Sequence, residues 1–243
     1  MKSSIAVCKI NNGYPTPAEL ISCEINTLQY FRDTTSFCKS FTALYSDSYN
    51  FLAKYHDQIK NKSLRAVRFE SQIDDIRINT KPGTAHIGVI ITQKDSKTYD
   101  QLSYYIAISD NSDPEAYYIR KFHFDYTLID PARKQPHPIF HLQYPGEFSE
   151  RLRNSNIKHE HLAEWLSEPR LPFSPMSLAL LVNLVFKEFP NENTHNVIED
   201  SRWRDLIRKN EKLLLEPYYK NCHNFISQRS PDMLITNDFY YGL

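Results

Sequence analysis

The sequence predicts an α+β protein: an antiparallel sheet meander flanked by N-terminal and C-terminal helices, in a single domain over residues 1–243. Three observations lead there. Apolar residues recur at helical spacing over 16–60 and again over 159–229, whereas 64–146 alternates with period two. The links inside the alternating stretch are short and rich in turn residues, which favours hairpins over βαβ crossovers. The chain is 41% hydrophobic and 24% charged over 243 residues, a balance that fills a sizeable core and does not suit disorder.

The first helix opens at Thr16-Pro17, a hydroxyl cap followed by a residue that lacks an amide hydrogen. Leu20, Ile21, Ile25, Leu28 and Phe31 then form its apolar stripe. A second helical stretch is expected from about Phe37 to Ile59, ended by Asn61-Lys62-Ser63. Strands are expected over 64–70, 74–79, 86–92, 102–109, 116–128 and 139–144. Lys81-Pro82-Gly83, Lys94-Asp95-Ser96 and Asn111-Ser112-Asp113-Pro114 supply the turns. Beyond Gly146 the period is helical again. A short helix is expected over 159–166, and a strongly apolar one opens at Ser174-Pro175 and runs through Phe189. Pro190 ends it, NENTHN reads as a loop, and a further helical region runs from Ile198 to about Ser227, with a break near Glu216-Pro217.

Several function classes are disfavoured early. Lys plus Arg and Asp plus Glu are both 29, so no net charge draws the chain toward nucleic acid or anionic lipid. Only five glycines occur, and a phosphate-cradling loop needs backbone that glycine alone tolerates. Cys8, Cys23, Cys38 and Cys222 form no CxxC pair; Cys23 and Cys38 read as buried, reduced thiols. No apolar run approaches the roughly 20 residues of a membrane span, and the first residues lack a signal-peptide core. The expected location is the cytoplasm, without membrane contact. No cofactor motif is complete, and neither a cofactor nor a bound metal is expected.

The chemistry-bearing residues concentrate in 122–143, FHFDYTLIDPARKQPHPIFHLQ. Period-two geometry sends Phe122, Phe124 and Tyr126 to one face and Lys121, His123 and Asp125 to the other. In the next strand Phe140 and Leu142 alternate with His141 and Gln143. Aligned core faces therefore bring His123 and Asp125 beside His141 and Gln143. The loop between them carries Arg133, Lys134 and His137. Three uses compete for this set. One is a metal site of His123, Asp125, His137 and His141. The second is acid–base chemistry on a phosphodiester, with Arg133 or Lys134 stabilising charge. The third is cross-strand polar pairing that serves the fold alone. The segment 201–209 interleaves arginines, Trp203 and acids; it reads as a solvated amphipathic face more readily than as a nucleic-acid contact.

The order Phe124-Asp125-Tyr126, His137-Pro138-x-x-His141-Leu142, Arg170-x-Pro172 and Pro175 before an apolar helix resembles an uncharacterised bacterial domain-of-unknown-function family with FDY, HPxxHL and RxP elements. The resemblance spans 121–189. The HP…H theme is also similar, more faintly, to a small toxin family of toxin–antitoxin pairs. Such families sit among mobile or anti-phage defence genes. The resemblance thus implies an accessory or protein-interaction component of a bacterial defence or toxin–antitoxin-like system, with another protein subunit as partner. The alternative is an RNA-directed nuclease, with nucleic acid as partner. It would use His123, Asp125, His137, His141 and Arg133 in catalysis, and Arg170 and Gln143 in binding.

Overall fold

A computed structural model describes residues 14–34, 39–78, 81–111, 118–126, 140–143 and 171–228. Helix α1, Pro17–Asp33, opens with a full capping box. The Glu19 amide donates to Thr16 Oγ1 at 3.3 Å, and the Thr16 amide donates to the Glu19 carboxylate at 2.7 Å. Replacing Thr16 with Ala should cost about 1 kcal/mol in a urea titration, the usual worth of such a cap.

The expected second helix is three pieces: a 3-10 turn at Lys39–Phe41, α2 at Thr42–Lys54 and α3 at His56–Lys60. The interruption falls at Tyr55, whose ring packs 4.7 Å from Phe51 with the Lys54 ammonium over it at 5.1 Å. Lys62, at a φ of 52°, takes the left-handed conformation that stops α3.

The sheet carries six antiparallel strands in sequence order: β1 Ala66–Ile78, β2 Lys81–Gln93, β3 Tyr99–Asp110, β4 Tyr118–Tyr126, β5 Phe140–Gln143 and β6 Leu171–Pro172. The α+β meander with helices before and after it is as the sequence predicts. Two strands expected over 64–79 are one strand with a bulge between Ile73 and Ile76. Asp75 takes the extra position at a φ of 57°, a conformation that Asp tolerates better than most side chains. Asn191 Nδ2 donates to its carbonyl at 3.3 Å.

One sheet face is the core. Register aligns Val89 with Phe69 and Tyr104, and Tyr104 with Phe124, so each row runs apolar from strand to strand. Helices α1, α2 and α4 (Leu178–Glu188) cover this face. Helix α4 begins three residues later than Pro175 because its orphan amides are satisfied there. Ser177 Oγ accepts from the Leu180 amide at 3.3 Å, and the Glu24 carboxylate accepts from Leu178. The stretch NENTHN, expected as a loop, opens α5, Glu192–Glu199. Its cap is Asn191 answered by Thr194, a box written without the usual Glu or Gln. Helix α6, Ser201–Gln228, runs unbroken through Pro217 and anchors Trp203 against Tyr30, Phe31 and Phe186. The expected helix over 159–166 lies outside the described residues.

Candidate functional site

The sheet assembles the three elements of the family resemblance. FDY ends β4, His141-Leu142 lies in β5, and Leu171-Pro172 of RxP forms β6. Register pairs His123 with Gln143, Asp125 with His141, and His141 with Pro172. Three separated stretches of sequence thus become three neighbouring strands. Arg133, His137 and Arg170 lie outside the described residues.

The face opposite the helices carries Ser103, Tyr105, His123 and Asp125 as cross-strand neighbours. Alternation does separate them from Phe124 and Tyr104, as expected. The polar face is nevertheless not open at this point. His123 is only 6% exposed and Tyr105 2%. Their rings stack, with centroids 5.7 Å apart and planes 25° from parallel. Tyr105 lies over Gly88, the strand position opposite it, where a missing side chain leaves room for the ring. Ser103 Oγ donates to the Asp125 carboxylate. On the other, core face of the same strands a cavity among Tyr14, Leu102, Tyr104, Phe124, Tyr126 and Met176 holds about 10 Å3. That is the room of one water molecule. Among the described residues no three His, Cys, Asp or Glu side chains gather as a metal site.

A larger recess of about 160 Å3 lies elsewhere, between α1, the 3-10 turn, α2 and α5. Tyr30, Phe31, Phe41 and Tyr45 line it. Tyr45 leads one helical turn along to Tyr49, which is 53% exposed. Tyr219 on α6 is 58% exposed. The arginines of α6 meet acids of their own neighbourhood: Arg202 with Asp200 at 2.8 Å, Arg204 with Glu199 at 3.4 Å and Arg208 with Asp205 at 3.0 Å.

Sequence reasoning missed the most unusual ionisable group. Glu24 of α1 is fully buried between β3 and the start of α4. It accepts from Tyr104 Oη at 2.7 Å and from the Leu178 amide at 3.1 Å. Burial pushes its carboxyl up to about 7, and those two bonds pull it back only in part. Beside it the Cys23 thiol donates to Asn210 Oδ1 at 3.0 Å and is pushed up to about 12, first by burial and then by Glu24. Such a thiol is inert as a nucleophile. The signal was present in the sequence: Glu24 falls between Leu20 and Leu28 on the apolar stripe of α1, where a carboxylate needs partners.

Among the described residues no helix is long and apolar enough to cross a membrane. Comparison with protein-family models, curated proteins and solved structures found no match for this chain.

Proposed function

We propose that this protein is an interaction component of a bacterial anti-phage defence or toxin–antitoxin-like system, working through a protein partner. The observation that carries this reading is the burial of His123. A histidine 6% exposed beneath a stacked tyrosine is poorly placed to exchange protons with an RNA backbone. The motif elements then serve mainly to build the β4–β5–β6 end of the sheet. Tyr49 and Tyr219, exposed on two helices, suit a protein interface, where a ring with a polar tip is favoured.

The test is affinity capture with the products of neighbouring genes, run beside cleavage assays on single-stranded and structured RNA. We expect one neighbouring product to be retained, its retention to fall at least roughly tenfold in the Tyr49→Ser, Tyr219→Ser double variant, and no RNA turnover. A second reading as a ribonuclease draws on the register that sets Asp125 opposite His141 and His123 opposite Gln143. RNA cleavage that His141→Ala abolishes in a protein of unchanged melting temperature would establish it and overturn the first.

A further inference from the structure

We propose that the outer edge of β1 is a self-complementary surface that pairs with β1 of a second copy of this chain, joining two sheets into one across a two-fold axis at Phe69. Among the described residues β1 pairs with β2 alone. The Gln93 amide donates to the Arg65 carbonyl. In an antiparallel ladder the bonded pairs alternate, so Val67, Phe69, Ser71 and Ile73 direct their amides and carbonyls to β2. Those of Ala66, Arg68, Glu70 and Gln72 point the other way, along the sheet edge.

That edge is bounded on both sides. The strand starts at Ala66, and the Asp75 bulge turns the chain out of line after Ile73. The regular stretch is therefore centred close to Phe69. A two-fold axis at Phe69 pairs residues whose numbers sum to 138, and it keeps both core faces on one side. Arg68 then faces Glu70 of the second copy, and Glu70 faces Arg68. Both are members of outward-pointing, hydrogen-bonded pairs, and Ala66 falls opposite Gln72. Arg68 is exposed and Glu70 half-buried, with no ion pair to either among the described residues. An axis at Glu70 or Arg68 would instead oppose like charges. Charged residues on an edge strand usually deter pairing. Here their order deters other registers and favours one.

The test is a concentration series by sedimentation and light scattering. The wild type should dimerise. Arg68→Glu and Glu70→Arg should each weaken dimerisation about ten- to thirty-fold, because two attractive cross-strand contacts become two repulsive ones. The two single variants mixed together should restore a heterodimer, and the double charge swap should restore the homodimer. Glu70→Pro, whose missing amide hydrogen costs no bond to β2, should give a monomer with a far-ultraviolet spectrum like the wild type. A wild type that stays monomeric up to its solubility limit overturns the proposal. So does a dimer indifferent to both charge reversals.

Discussion

Between pH 5 and 8 the protein should lose stability as pH rises, and Glu24→Gln should remove most of that slope. Glu24 holds its proton up to about 7 when folded, against an ordinary value of 4.5. Its contribution is therefore fully present below 4.5 and is lost as pH rises through about 7, the reverse of a salt-bridged carboxylate. The shift corresponds to about 3 kcal/mol. Among the described residues no cation offsets the charge: Tyr104 and the Leu178 amide bond to it, and Tyr14, Tyr99 and Cys23 lie within its electrostatic reach. A neutral amide of the same shape keeps an acceptor for Leu178 and a contact to Tyr104 without the charge. Glu24→Gln should thus match the wild type at acid pH and exceed it at pH 8. Glu24→Ala should be the damaging change even at pH 5, by about 3 kcal/mol, because it orphans the Tyr104 hydroxyl and the Leu178 amide in a dry interior. Urea titrations of the three proteins across this range decide the matter. Parallel wild-type and Gln profiles would show that Glu24 is ionised throughout.

Legibility in the sequence followed the range of the forces involved. Period-two alternation is local, so the antiparallel meander of β1 to β5 and the separation of Phe124 from His123 could be read directly, whereas β6, two residues long, has too little alternation to read. Alternation with aligned core faces also forecast His123 and Asp125 beside His141 and Gln143, and the β4–β5 register sets Asp125 opposite His141. Exposure is not local. His123 sits on the polar face by alternation, yet it is 6% exposed and stacks on Tyr105, 18 positions away, whose ring lies in the room left at Gly88. The start of α4 was similarly hidden, since Glu24 on a distant helix accepts the Leu178 amide. The cap of α5 escaped because Asn191 and Thr194 form a reciprocal box with the less usual residues.

Gly88→Ala should cost about 2–3 kcal/mol, although alanine is ordinarily at least as comfortable as glycine in a strand. A Cβ at Gly88 would fall inside the ring of Tyr105, against Cζ, Cε1 and Oη. A long side chain at the surface would swing away. Tyr105 is 2% exposed and stacked on His123, so its ring is held on two sides. The alternatives are an off-rotamer tyrosine or a local parting of β2 from β3, and both are costly. The pair must therefore couple. In a Tyr105→Ala background the ring is gone, and adding Gly88→Ala should cost less than about 0.5 kcal/mol. Denaturant titrations of the four proteins measure that coupling, and additive costs would mean that the ring does not rest on Gly88. The same cycle bears on the site. If Tyr105 is what seals His123, then Gly88→Ala should raise the reaction rate of that imidazole with diethylpyrocarbonate, and Tyr105→Ala should raise it further. Equal rates in all four proteins would show that Tyr105 does not seal His123, and a wild-type imidazole as reactive as a free histidine would return His123 to the ribonuclease reading.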